Sequence, residues 1–99
     1  MQNKILNLLG LAQRAGKLII GYDAVHQALV KHQLKVLIIA ADISTNTEDK
    51  IMSAAKHDKK ILVINNFTAD ELKQALGKKT KLIAIKDAGF NKAIKKLTK

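Results

Sequence analysis

The sequence predicts an α/β fold in which a sheet of about four short strands lies between two layers of helices. Apolar side chains alternate along the chain between helical and strand spacing, and this alternation repeats from one end to the other. The chain has 99 residues, 47% of them hydrophobic, which is enough for one buried core. It has no proline, low-complexity tract or interior linker, so residues 1–99 are predicted to form a single domain.

The first three elements are a helix, a short strand and a second helix. Residues 2–15 show helical apolar spacing, and Gly16 is placed just past the helix end. Leu18–Ile20 is predicted to be a strand. The second helix starts directly at Gly21 and ends near His32.

The middle of the chain contains the most apolar segment. The continuous run Val36–Ala40 is typical of a strand that is buried on both faces. A third helix is expected to begin at Thr45, because Glu48 follows it at the spacing of a capping box. Ile61–Ile64 is predicted to be the next strand.

The fourth helix has the clearest start in the sequence, with Thr68 as N-cap and Glu71 three residues later. It is expected to end at Gly77, and Leu82–Ile85 is predicted to be the last strand. A final helix turns three apolar residues inward: Phe90, Ile94 and Leu97. Its opposite face carries four lysines: Lys92, Lys95, Lys96 and Lys99.

The charge is strongly positive and unevenly distributed. The net charge is +10, and residues 73–99 carry nine lysines and one aspartate. Such clustering indicates binding to phosphate groups, although a solvated basic face without a partner stays open. No apolar run exceeds about five residues, far fewer than a membrane span needs. We also expect no signal peptide, and therefore a cytoplasmic protein.

Enzyme and metal chemistry find little support in the sequence. Cysteine is absent, and the three histidines, His26, His32 and His57, lack metal-ligand spacing. No glycine-rich phosphate loop or dinucleotide fingerprint occurs. Asp42 follows a buried strand, where an α/β enzyme places a catalytic acid, but a loop or helix-entry role fits it equally well. We therefore expect a non-catalytic protein without cofactor or metal.

Three loops have the chemistry of a nucleic-acid surface. The first is the helix start at Gly21, where free backbone N–H groups favour an anion and Arg14 and Lys17 are expected to flank it. The others are residues 42–45 and the basic loop 78–81. With one tyrosine, two phenylalanines and no tryptophan, base stacking on an aromatic platform is disfavoured. A structured RNA is the expected partner.

Four segments together resemble one known family across essentially the whole chain. They are LLGLAQRAGKLIIGYDAV (8–25), VLIIAADISTNTEDKI (36–51), ELKQALGKK (71–79) and IKDAGFNKAI (85–94). The chain resembles the kink-turn RNA-binding ribosomal proteins, the archaeal "L-seven-Ae" family, and within it the bacterial YlxQ-type branch. The resemblance implies a three-layer αβα sandwich with a four-stranded mixed sheet. It also implies binding to kink-turns, which are sharply bent duplexes with tandem sheared G·A pairs.

The family's recognition element is a helix start of the pattern Gly-x-Asn-Glu-x-x-Lys. Gly21 matches it, whereas Asp23, Ala24 and Gln27 stand at the positions of the amide, the carboxylate and the lysine. Each lost base-edge contact lowers discrimination by ~1–3 kcal/mol.

The main hypothesis is an RNA-binding, ribosome-associated, monomeric protein that recognises a kink-turn or similar bent duplex. Gly21, Tyr22, Asp23 and Gln27 are expected at the G·A region, with Ala24 as a further RNA-binding residue. Ile43 and Ser44 are expected near a flipped-out nucleotide. The phosphate contacts are assigned to five lysines, Lys17, Lys31, Lys78, Lys79 and Lys81, and Thr80 is expected to be a further RNA-binding residue.

Two other functions stay open. One is a protein-interaction adaptor in the ribosome or the transcription machinery that uses the same surface. The other is an RNA-modifying enzyme, which requires a cofactor pocket.

Overall fold

The computed structural model describes residues 2–56 and 61–97, so His57 and Lys99 lie outside the described residues. The five helices and four strands follow in strict alternation. They are α1 (Gln2–Arg14), β1 (Leu18–Ile20), α2 (Tyr22–Val30), β2 (Val36–Ile39), α3 (Thr45–Ala55), β3 (Leu62–Ile64), α4 (Ala69–Leu76), β4 (Leu82–Ile85) and α5 (Ala88–Leu97). The predicted number, type and order of elements are confirmed.

The four strands form one mixed sheet in the order β1-β4-β2-β3. Strand β4 is antiparallel to both of its neighbours, whereas β2 and β3 are parallel. Consequently β1, β2 and β3 all end at the same end of the sheet, where β4 begins. We call this the groove end, and we call the opposite one, where β4 ends, the far end.

Helices cover both faces of the sheet, as expected for an αβα sandwich. Along β2 the side chains alternate: Val36 and Ile38 pack with apolar residues of α1, α4 and α5, and Leu37 and Ile39 pack with α2 and α3. Strand β4 alternates in the same way. The two central strands, β2 and β4, are buried at every residue, which explains why their sequences are continuous apolar runs.

Two details of the helices differ from expectation. The N-cap of α3 is Ser44, one residue before the expected Thr45, because the Ser44 hydroxyl accepts the N–H of Thr47 at 3.3 Å. Ser44 and Thr45 are both good capping residues, so sequence spacing alone does not choose between them. In α5, Ile94 is buried, but Leu97 is 37% exposed in the last described turn.

The fourth helix begins as the sequence predicts. Thr68 and Glu71 form a full capping box, and Gly77 closes the helix in the left-handed conformation at φ 74°. A second acceptor reaches this helix start from elsewhere in the chain, since Asp42 accepts the N–H of Ala69 at 2.9 Å. This bond ties the loop after β2 to α4.

Candidate nucleic-acid interface

The three loops singled out in the sequence meet at the groove end of the sheet. The α2 start follows β1, the loop 42–44 follows β2, and the loop 78–81 precedes β4, so the topology brings them together. Between them lies a groove of about 370 Å³. Its lining consists of Ile20, Gly21, Tyr22, Ile43, Ser44, Thr47, Lys79, Thr80, Lys81 and Leu82.

Gly21 fixes the geometry of one wall. Its backbone has φ 103° and ψ 153°, a region that is essentially restricted to glycine. In this conformation its N–H donates to the carbonyl of Leu82 in β4 at 3.2 Å, and its carbonyl accepts the N–H of Val25 at 3.0 Å. Gly21 thus connects the end of the sheet to the first turn of α2.

The first turn of α2 is open. Helices α3 and α4 are capped by the side chains of Ser44 and Thr68, whereas α2 has no side-chain cap. The first N–H groups of a helix have no partner within it, and the helix dipole adds partial positive charge there. The backbone N–H groups of the first turn of α2 can therefore donate to an anionic group at this wall of the groove.

The α2 residues of the predicted site divide into two groups. Tyr22 lines the groove, is 36% exposed and stacks on the ring of His26, with centroids 5.6 Å apart and planes 18° apart. Asp23, Ala24 and Gln27 are exposed but do not line the groove. Gln27 lies one helical turn after Asp23, so both side chains project from the same face of α2.

The loop after β2 forms the second wall, and most of its polar groups are already bonded. The Ser44 hydroxyl caps α3 and also donates to Thr47 Oγ1 at 2.9 Å. The bond from the Ala69 N–H lowers the pKa of Asp42, and the charges of Lys81 and Lys79 lower it further. Asp42 therefore acts as a capping group, but for the distant helix α4, since Ser44 caps the helix that follows Asp42 in the chain. Ile43 is half-buried and is the apolar side chain that this wall presents.

The basic loop forms the third wall. The Ala40 N–H donates to the Lys81 carbonyl at 2.9 Å, which fixes the loop against the end of β2. Lys79 and Lys81 are exposed at the groove, and Lys78 is exposed beside it. Thr80, expected to bind RNA, is 8% exposed, and its hydroxyl donates to the Leu82 carbonyl at 3.1 Å. Its side chain supports the loop instead of presenting a donor to the groove.

Two lysines assigned to this site lie elsewhere. Lys17 precedes β1 and Gly21 follows it, so the strand separates them by about 13 Å. Lys17 lines a different concavity, together with Lys86 and Asp87 at the far end. Lys31 is the C-cap of α2, at the opposite end of the helix from Gly21. The expected flanking of Gly21 by Arg14 and Lys17 is therefore wrong, because α1 ends on the other side of β1.

The sequence analysis missed two polar contributors to the site, besides the strand residues Ile20 and Leu82 that also line the groove. Thr47 lines the groove, and His26 supports the ring of Tyr22. Each follows a predicted site residue by one helical turn, Ser44 and Tyr22 respectively, and helical spacing is the signal that identifies them.

The described residues supply no group of three histidine, aspartate or glutamate side chains placed to hold a metal ion. Within the same residues, no helix has the length and apolar character needed to cross a membrane.

Comparison with known proteins gives consistent matches over nearly the whole chain. The model of the ribosomal protein L7Ae/L30e/S12e/Gadd45 family matches residues 3–95. The RNA-binding protein YlxQ of Enterococcus faecium is 34% identical over 96 residues, which are 97% of this chain and 92% of the relative. Among solved structures, a protein of unknown function from Bacillus halodurans is 33% identical with a TM-score of 0.85 over 95% of both chains. A 15.5-kDa RNA-binding protein of Giardia lamblia shares the fold, with a TM-score of 0.69 at 18% identity over 97% of this chain and 88% of that one.

Proposed function

Because the chain belongs to the ribosomal protein L7Ae/L30e/S12e/Gadd45 family, we propose that it is a non-catalytic RNA-binding protein that recognises a kink-turn or similarly bent duplex. We place it in the cytoplasm, in association with ribosomal or other structured RNA. The relative from Enterococcus faecium, which covers the same length, is named an RNA-binding protein and supports this assignment.

The observation that carries the proposal is the convergence of three different kinds of group on one groove. An uncapped helix start, a half-buried isoleucine and two exposed lysines line the same concavity. A helix N-terminus and lysines bind phosphate, and an apolar side chain contacts a base that has left its stack. A regular duplex offers phosphates alone, whereas a bent duplex with a displaced nucleotide offers both.

In this arrangement the residues have separate tasks. Lys79 and Lys81 hold phosphates and fix the position of the RNA, and Ile43 contacts the displaced nucleotide. Asp23 and Gln27, exposed on the adjoining face of α2, read the edges of the bases in the G·A pairs. A carboxylate accepts hydrogen bonds from amino and imino groups, which guanine presents.

The direct test is a gel shift with a kink-turn RNA and with the same RNA after its G·A pairs are converted to Watson–Crick pairs. We expect tighter binding to the kink-turn, by roughly tenfold or more, since one base-edge contact contributes ~1–3 kcal/mol. Equal affinity for the two RNAs would contradict recognition of the bent form. Loss of binding to both, with retention of a ribosomal protein partner at high salt, would favour the adaptor function instead.

The salt dependence gives a second measurement. Three exposed lysines lie at or beside the groove: Lys78, Lys79 and Lys81. Neutralising three phosphates predicts a slope of about −2 to −3 for log K against log[salt]. A slope near zero would exclude the groove as a phosphate site.

A further inference from the structure

A second group of cations lies at the far end of the sheet, away from the groove. Lys17 precedes β1, Lys35 precedes β2 and Lys86 follows β4, and all three are exposed. Ile85 pairs with Leu18 on one side and with Val36 on the other. One residue further toward the far end, each of the three strands has a lysine: Lys17 before Leu18, Lys86 after Ile85 and Lys35 before Val36. The three lysines therefore lie at the same level across three adjacent strands. We call them the lysine row.

The hydrogen bonds of the sheet continue to this level. The N–H of Lys35 donates to the Ile85 carbonyl at 2.9 Å, and the Lys35 carbonyl accepts the N–H of Leu62 in β3 at 3.1 Å. Lys17 and Lys86 line one concavity of about 300 Å³. Neighbouring strands are ~4.8 Å apart, so the row spans about 10 Å with Lys86 at its centre.

Two further lysines lie at helix ends on the far side of the molecule. Helices α2 and α3 both start at the groove end and run to the far end, where their C-caps are Lys31 and Lys56. Asp87 is the acidic side chain beside Lys86, and its carboxylate accepts the N–H of Phe90 at 3.0 Å at the start of α5. One carboxylate oxygen of Asp87 therefore bonds to the helix, while its side chain lines the same concavity as Lys17 and Lys86, where two positive charges stand against one negative charge.

Like charges placed side by side on adjacent strands repel each other and destabilise the fold. A linear polyanion that lies along the row removes this repulsion and releases its own counterions. The row cannot serve the groove, because Lys81 and Lys86 are separated by the full length of β4, about 16 Å. The two basic surfaces thus face away from each other.

We propose that the lysine row binds the phosphate backbone of a second RNA duplex, so that the protein bridges two RNA segments. Binding at the row depends on charge and spacing and not on base sequence. A regular Watson–Crick duplex is therefore a sufficient ligand. Duplex binding at the row does not depend on kink-turn recognition at the groove, whereas the bridging rests on the proposed RNA binding there.

The test compares two variants of the full chain with equal net charge. The row variant carries Lys17→Gln, Lys35→Gln and Lys86→Gln. The control variant carries Lys4→Gln, Lys50→Gln and Lys73→Gln, which are exposed lysines on three helices. Binding of a Watson–Crick RNA duplex without G·A pairs is measured by fluorescence anisotropy over a series of salt concentrations. Thermal unfolding followed by circular dichroism verifies that both variants fold.

We expect the row variant to bind the duplex roughly tenfold more weakly than the control, with a salt slope shallower by about 2 to 3. Equal losses in the two variants would show a general charge effect and overturn the proposal. Wild-type binding to anionic phospholipid vesicles in place of the duplex would overturn it as well.

Bridging is tested separately, by capture of a labelled duplex on immobilised kink-turn RNA. The wild-type protein is expected to capture the duplex, and the row variant to bind the immobilised RNA without capturing it. A row variant that still captures the duplex contradicts the inference. A Lys79→Gln, Lys81→Gln variant is expected to bind the duplex as tightly as the wild type, and a loss of duplex binding in this variant would overturn the assignment of the duplex to the row.

Discussion

Replacing Gly21 by alanine tests how the groove is built. The backbone at Gly21 has φ 103° and ψ 153°, and a Cβ atom added there meets no atom within 4 Å. The substitution therefore creates backbone strain without a steric clash. Such strain costs ~1–3 kcal/mol, out of a total stability of roughly 5–15 kcal/mol for a chain of this size. We expect the melting temperature to fall by about 4–20 °C.

Gly10 provides the matched control, because it undergoes the same chemical change within helix α1. A Cβ atom there makes an ordinary contact of 3.6 Å with the carbonyl oxygen of Ala75. Alanine is the better helix former, so Gly10→Ala is expected to raise stability by up to ~1 kcal/mol. Urea denaturation measures the change in the free energy of unfolding for both variants, provided that the m-value of each equals that of the wild type. If Gly21→Ala leaves the stability unchanged or raises it, as Gly10→Ala is expected to do, the assigned conformation of Gly21 is wrong.

Three further predictions concern capping, pH and salt. Thr68→Ala removes the capping box of α4 and is expected to lower the free energy of unfolding by ~1 kcal/mol, as measured by urea denaturation. Because the Asp42 carboxylate accepts the Ala69 N–H, its pKa lies below the ordinary value of 3.8. The carboxylate therefore stabilises the fold fully above pH 3.8, and this stabilisation is lost as the pH falls through the lower pKa of the folded state. In the Asp42→Asn variant, the contribution of Asp42 to the fall of the melting temperature at acid pH should disappear. An unchanged dependence of the melting temperature on pH would contradict the capping role of Asp42. Replacing Lys79 and Lys81 with glutamine should make the salt slope of kink-turn binding shallower by about 2, and an unaltered slope would exclude phosphate contacts there.

The local parts of the structure were predictable from the sequence. Helical and strand periods identified the nine helices and strands of residues 2–56 and 61–97, and the signal around Thr68 identified its capping box correctly. Each of these features depends on residues a few positions apart. The N-cap of α3 is also set by neighbouring residues, and its predicted position, Thr45, was wrong by one residue.

The placement of the lysines was not predictable in this way. Lys17 is four residues from Gly21 in the sequence, but the strand between them carries it to the far end of the sheet. Its neighbour there, Lys86, is brought by the antiparallel pairing of β1 with β4, a contact between distant parts of the chain. Thr80 was misjudged for a related reason. A threonine between lysines appears solvent-exposed, yet the return of the loop onto Leu82 buries it.

The groove owes its shape to the main chain more than to the side chains that line it. Bonds from Gly21 to Leu82 and from Ala40 to Lys81 join backbone to backbone. The outward positions of α2 take part in neither bond, and Asp23 and Gln27 are exposed. These side chains can therefore differ from the family's Asn-Glu-Lys pattern without cost to the fold. Under the proposed function, affinity comes from the lysines and the open helix start, and base specificity comes from the outer face of α2. The two properties are then set by different residues and can change independently.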